Sequence, residues 1–137
     1  MTLGVVYSAR MSEWSDWYLR EDPETWVLPA ILRRRAEEHP DRDFLRVGGG
    51  PWRSYAEVNA RANRVANALI ARGLRPGEAV SSLLPNVEEN FAAWFGIQKA
   101  GGVQCPVNLA YRGSFLSWVL NLPQSRFLVV DQAHLGR

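Results

Sequence analysis

Apolar positions along this chain follow two spacings, one near the helical turn and one alternating, and the changes between them divide it into elements. Trp26, Leu28, Ile31 and Leu32 precede the charged run Arg33, Arg34, Arg35, Glu37 and Glu38. Pro40 stands where such a helix should stop, so a short amphipathic helix is predicted. Asp43 to Val47 reads as a strand, Gly48 to Pro51 as a turn, and Trp52 to Tyr55 as the returning strand of a hairpin. Ser54 and Glu57 hold the spacing of a capping box, which opens a helix by pairing two otherwise unbonded amides. Along that helix Val58, Ala62, Val65, Ala66, Leu69 and Ile70 form the apolar stripe, Arg61, Arg64 and Arg72 lie mostly off it, and Gly73 suits a left-handed C-terminal cap.

The second half repeats a strand and helix rhythm. Ala79 to Leu84 reads as a mostly apolar strand, and Asn86 is expected to cap a helix carrying Val87, Phe91, Trp94 and Phe95 up to Gly101. Val103 to Val107 is the next strand. Ser114 is expected to cap a third helix, whose residues Phe115, Leu116, Trp118, Val119, Leu120 and Leu122 nearly encircle it and so call for burial on most sides. Phe127 to Val130 closes the series as a strand. Crossovers of this length give parallel pairing with right-handed connections. The fold class is therefore α/β: an N-terminal helix and β-hairpin followed by a βαβαβ parallel unit. Three parallel strands are normally covered on both faces and extended by further strands, so the unit is expected to belong to a larger sheet. Residues 1–24, where Trp14, Trp17 and Tyr18 lie among polar residues without a period, are expected to form an irregular arm that packs on something else.

Composition narrows the function classes. With 137 residues, 47% of them hydrophobic and 22% charged, the chain has the material for one packed domain and is not a disordered tail. The 16 cationic residues are scattered among 14 acids, so no basic face stands out to hold a nucleic acid backbone. Cys105, without a second cysteine, forms no internal disulfide, and with His39 and His134 it is too few for a structural zinc cage. No apolar run approaches the ~20 residues that span a bilayer. A reducing, cytoplasmic setting is expected.

Candidate chemistry is sparse. There is no Walker-type phosphate loop, and Lys99 sits near a helix C-terminus, where its charge is favoured by the dipole. Gly48, Gly49 and Gly50 join antiparallel strands, whereas a dinucleotide loop joins a strand to a helix. Cys105 lies mid-strand and reads as a small core residue; His39 reads as a helix-end residue, and neither it nor His134 has a visible partner. Glu88 and Glu89, like Glu37 and Glu38, are adjacent and diverge by about 100° on a helix, so they read as solvated groups that complement the dipole. Trp94, Phe95 and Trp118 read as core, with an acyl or aromatic pocket as the sharper reading. No metal-binding set is expected. One loop remains: Asn108, Leu109, Ala110, Tyr111, Arg112 and Gly113 follow a parallel strand's carboxyl end, where α/β sheets place ligands. Arg112 beside a helix N-terminus suits a phosphate or, equally, a solvated turn.

Several stretches taken in order carry a resemblance. They are Leu28-Pro29-Ala30-Ile31-Leu32 with the arginine run, Trp52-Arg53-Ser54-Tyr55-Ala56-Glu57, Ala62 to Leu69, Gly73 to Val80, Leu84-Pro85-Asn86, Ala100-Gly101-Gly102-Val103, and Pro106 to Gly113. From about Trp26 to Asp131 the chain resembles the beginning of an AMP-forming acyl-CoA synthetase, the adenylate-forming family, with the look of fatty-acid or carnitine-type ligases. Ser54 and Glu78 stand where the family more often has threonine and aspartate. The resemblance implies a two-step reaction in a full enzyme. A carboxylate displaces pyrophosphate from ATP with magnesium, and the CoA thiol then displaces AMP from the acyl adenylate.

It also implies that the ATP-binding and catalytic motifs follow the strand at Phe127 to Val130, so that 1–137 is the N-terminal part of a large adenylation domain, inactive by itself. Asn108, Tyr111 and Arg112 then become the candidates for a loop on the CoA side, and no residue is a catalytic candidate. The expected partner is the remainder of the ligase chain, or a second copy through the sheet edge, with a small-molecule carboxylate as substrate of the full enzyme. The alternative is a stand-alone α/β binding or interaction module without catalysis; a third is a truncated product without function.

Overall fold

The computed structural model describes residues 27–135, so the arm predicted over residues 1–24 lies outside the described residues. The elements in chain order are α1 (Leu28–Glu38), β1 (Asp43–Leu45), β2 (Arg53–Ser54), α2 (Tyr55–Ala71), β3 (Ala79–Leu83), α3 (Glu88–Lys99), β4 (Val103–Pro106), α4 (Gly113–Asn121) and β5 (Phe127–Val130), then a 3-10 turn at Gln132–His134. Strands β1 and β2 make the antiparallel hairpin, two residues shorter at each strand than the apolar pattern predicts. The other three strands form a parallel sheet in the order β4-β3-β5, with Ala79 opposite Val103 and Val80 opposite Phe127. The α/β class and the βαβαβ unit are as expected.

Local chemistry explains the best-formed helix. The Ser54 hydroxyl accepts from the Glu57 amide at 3.3 Å while the Glu57 carboxylate accepts from the Ser54 amide at 2.8 Å, closing the capping box. At the other end Gly73 has φ +83°, its amide donates to the Ile70 carbonyl, and the Leu74 amide donates to that of Leu69. Those two bonds make a Schellman motif, with Leu69 and Leu74 both buried in one cluster. Ile70, expected on the buried stripe, is instead 52% exposed. Steps of four residues overshoot a turn by about 40°, so the row Val58, Ala62, Ala66 drifts toward solvent by position 70, and Leu69 takes the inward place.

The sheet divides the core. Val80, Phe127 and Val129 pack with Ala66, Leu69, Ala93 and Ile97, so α2 and α3 cover one face. Leu83 and Val130 pack with Val107, Leu116 and Val119, so α4 lies on the opposite face. A third cluster joins α1, the hairpin, α2 and α3 through Leu32, Val58, Ala62 and Phe95, with Phe44 stacked on Tyr55 at 4.4 Å.

Further expectations are corrected. Asn86 does not cap α3: Val87 is the N-cap residue, with no side-chain bond, because its amide is drawn to the Pro85 carbonyl at 2.9 Å and the helix starts one turn residue later. Ser114 does not cap α4, because Gly113 at φ +55° turns the chain early and Arg112 is left as the cap residue. And α4 is not buried on most sides: Leu116 is inside, but Phe115, Trp118 and Leu122 are 49%, 57% and 65% exposed. Only one strip of α4 meets the sheet, and among the described residues no layer covers the rest. Trp118, and Trp94 at the rim of α3, are therefore not core; of that trio only Phe95 is. Cys105 is half-buried on β4, an outer strand, rather than enclosed.

Candidate functional site

The helices that follow β3 and β4 leave to opposite faces of the sheet, α3 to one and α4 to the other. The loops at the carboxyl ends of these neighbouring strands, residues 84–87 and 107–112, therefore part from each other. That crevice is a topological switch point, the place where open α/β sheets bind ligands.

Asn108, Tyr111 and Arg112 all belong to its β4 side. The Asn108 side-chain oxygen accepts from the Ala110 amide at 2.8 Å and its carbonyl from the Tyr111 amide at 3.1 Å, so Asn108 shapes the turn. Arg112 Nη1 donates to the carbonyls of Leu109 and, at 2.7 Å, Tyr111, clasping the loop from within. The Tyr111 ring meets Phe115 edge-on at 4.7 Å, and Phe115 stacks with Trp118 at 5.7 Å. The structure thus brings the three residues together but uses Asn108 and one arm of Arg112 for the loop itself. What the region offers outward is exposed aromatic surface on Phe115 and Trp118, which suits a flat ring. It contains no nucleophile paired with a base.

A second feature escaped the sequence reading. A cleft of about 510 Å³ opens at the carboxyl ends of β3 and β5, floored by Val65, Leu84 and Val129 and edged by Arg61, Arg64 and Asp131. Its edge is braced by Glu88, whose Oε2 lies 2.8 Å from Arg53 Nε and 2.9 Å from Arg61 Nη1, with the side chain 16% exposed. The hydrogen bond to Glu88 raises the Arg53 guanidinium above its already high range. Glu88 is therefore not the solvated group expected, because two arginines from other elements converge on it; Glu89, 70% exposed, is. The only signal in sequence was that Arg61 lies off the apolar stripe, which does not say what it meets.

The remaining candidates fall as expected or nearly so. Gly48 and Gly49 take positive φ in the hairpin turn, and His39 ends α1. Lys99 ends α3 and donates to the Asn59 side-chain oxygen at 2.7 Å; burial, then the nearby Arg33 charge, hold its ammonium below the usual lysine range.

Against known proteins, the description "AMP-binding enzyme" fits residues 32–136, most of the chain. The chain belongs to the AMP-binding enzyme family. Relatives of two kinds are among those it matches. It is 32% identical over 117 residues to tyrocidine synthase 3 of Brevibacillus parabrevis, covering 85% of this chain and 2% of that one. It is 38% identical over 78 residues to crotonobetaine/carnitine–CoA ligase of Proteus mirabilis, covering 57% of this chain and 15% of that one. The fold agrees with the fatty acyl CoA synthetase of Mycobacterium tuberculosis at a TM-score of 0.71 and 31% identity, over 80% of this chain and 22% of that structure. This member of the family thus spans a small part of the length of the relatives it matches.

The residues described fit the cofactors of AMP-binding enzymes unevenly. No group of three metal-ligating side chains exists among the described residues. Nor do they include a glycine-rich loop between a strand and a helix for the ATP phosphates. The exposed rings of Phe115 and Trp118 offer faces on which a flat ring can stack. No helix among the described residues is long and apolar enough to cross a membrane.

Proposed function

We propose that this chain is the N-terminal part of the adenylation domain of an acyl-CoA ligase, which joins a carboxylate to CoA with conversion of ATP to AMP and pyrophosphate. The observation that carries the reading is the placement of the Asn108–Arg112 loop at the switch point of a sheet from the AMP-binding enzyme family, in a stretch with the carnitine-type wording. The resemblance to crotonobetaine/carnitine–CoA ligase supports CoA as the acceptor. In this reading the loop, with Phe115 and Trp118, walls the CoA side, and α2, α3 and the hairpin are its scaffold. The ATP and magnesium sites are supplied by residues beyond the described ones, and the exposed Leu122 at the end of α4 meets the remainder of the ligase.

Two measurements test this. The purified 137-residue chain is expected to show no carboxylate-dependent exchange of pyrophosphate into ATP; robust exchange would overturn the claim that the chemistry lies elsewhere. The product of the complete native reading frame is expected to form a CoA thioester from a carboxylate, ATP and CoA. Adenylate formation with no thioester would remove CoA from the proposal and leave a peptide-synthetase-like activation.

A further inference from the structure

Helix α4 packs on the carboxyl-terminal half of one sheet face, through Leu83, Val107 and Val130. Toward the amino ends of the strands the same face leaves Val103 and Leu128 54% and 46% exposed. Side chains two apart on a strand share a face, so Ser81 lies on this one with Leu83, and Cys105 with Val103. Ser81 is in register with Cys105 on one side and with Leu128 on the other, and the three make one row across the sheet.

Ser81 is 2% exposed, and its hydroxyl has no hydrogen-bond partner among the described residues. Ser125 accepts from the Ser81 amide at 2.9 Å, but its own hydroxyl turns to the carbonyls of Ala79 and Phe127. A buried hydroxyl left in this way is costly and calls for an acceptor. Of its two neighbours in the row, Leu128 has no polar atom, while Cys105, on a strand about 4.8 Å away, brings a thiol. Sulfur is a weak acceptor, and an oxygen carried on it is a strong one. Cys105 is half-buried on an outer strand, and its Sγ meets the Val103 carbonyl only at 3.9 Å. It is also the one cysteine in the sequence, so an oxidised sulfur there has no second thiol of this chain to condense with.

We propose that Cys105 is a site of oxidation by hydroperoxides, at which a sulfenic acid forms and is held by a hydrogen bond from the Ser81 hydroxyl. The Cys105 thiolate attacks one peroxide oxygen, and an S–O bond forms as the O–O bond breaks. The departing alkoxide or hydroxide takes up the proton that the thiol gave and leaves as alcohol or water. Sulfur loses two electrons and the peroxide gains them. The new oxygen supplies the acceptor that Ser81 lacks, and a thiol reductant returns the site to its first state. The mark sits on β4, two residues before Val107 and the loop that follows it.

The test follows how long the sulfenic acid lasts. The reduced 137-residue chain is treated briefly with hydrogen peroxide, desalted, and given dimedone, which captures sulfenic acids, either at once or after a delay. Trypsin then releases Cys105 in the peptide from Ala100 to Arg112, and mass spectrometry reads the adduct. The parent in native buffer is expected to label nearly as well after the delay as before it. In Ser81→Ala the delayed label should fall roughly fivefold, the factor that one hydrogen bond is worth. The parent held in concentrated urea during the delay should show the same fall, since unfolding parts Ser81 from Cys105, and this comparison does not depend on the variant's folding. No adduct on immediate trapping, a native parent that loses its label as fast as in urea, a Ser81→Ala chain that keeps it as long as the parent, or oxidation that yields only covalent dimers would each overturn the proposal.

Discussion

Gly96 is the place where two helices touch, and adding one methyl group there should cost stability even though it improves a helix. A Cβ at Gly96 would lie 2.6 Å from Val65 Cβ, 2.8 Å from Val65 Cγ1 and 2.8 Å from the Ala62 carbonyl oxygen. Comfortable separations between such atoms are about 3.5–4.0 Å, so α2 and α3 would have to move apart by about 1 Å along a contact that also holds Ala66, Ala93 and Ile97. Overpacking of this kind costs roughly 1–3 kcal/mol. Replacing a mid-helix glycine by alanine returns up to about 1 kcal/mol through propensity.

The expected net for Gly96→Ala is a loss of about 1–2 kcal/mol. At an m value of about 2 kcal/mol/M, the urea midpoint should fall by roughly 0.5–1 M. Ala68→Gly on the exposed side of α2 gauges the propensity part alone, at a cost of about 1 kcal/mol. A midpoint for Gly96→Ala equal to or above that of the parent would refute the reasoning, because it would mean the two helices separate at no cost.

Two other outcomes follow from the ion pairs. Glu88→Ala strips the shared acceptor from Arg53 and Arg61, and should lower stability by about 1–2 kcal/mol. Because the carboxylate is mostly shielded, the loss should persist in 1 M salt, where a difference that vanishes would show the pair to be an exposed one. Glu78 is held below the usual carboxylate value of 4.5, first by its hydrogen bonds to Arg126 and then by the Arg75 amide. A depressed carboxylate stabilises the fold above its unfolded value and loses that contribution as pH falls through the folded one. The stability gap between the parent and Glu78→Gln should therefore be level near neutrality and close below pH 4.5, as read from urea titrations across that range; a gap independent of pH would be the wrong result.

Much of the fold was legible because it is written in short spacings. Ser54 with Glu57, and Gly73 after Leu69 and Ile70, specify both ends of α2 by bonds within a few residues, and the strand and helix rhythm from Ala79 onward specified the parallel unit. The misreadings share a cause. Asn86 and Ser114 are good capping residues, but the Val87 bond to Pro85 and the positive φ of Gly113 set where the helices start. Apolar content alone did not say that α4 presents one strip to the sheet, nor that Glu88 would meet arginines from β2 and α2. The candidate loop was found from its position after a parallel strand. That Asn108 and Arg112 brace the loop, leaving Phe115 and Trp118 as its outward surface, depends on side-chain directions that spacing does not carry.

The strand order also has a consequence for synthesis. The middle strand, β3, is made before either neighbour, and its partners at Val103 and Phe127 arrive only after a helix each. During that interval both edges of β3 are unpaired, the condition under which nascent chains associate with one another. Ser81 and Ser82 occupy the centre of β3, leaving Val80 and Leu83 as separated apolar positions in place of a continuous sticky run. Helix α2, finished beforehand and closed at both ends, gives Val80 a surface to rest on while the sheet waits for its flanks. The polar pair at the heart of the sheet thus works as a safeguard for the growing chain, and replacing both serines with valine should show first as lost soluble yield.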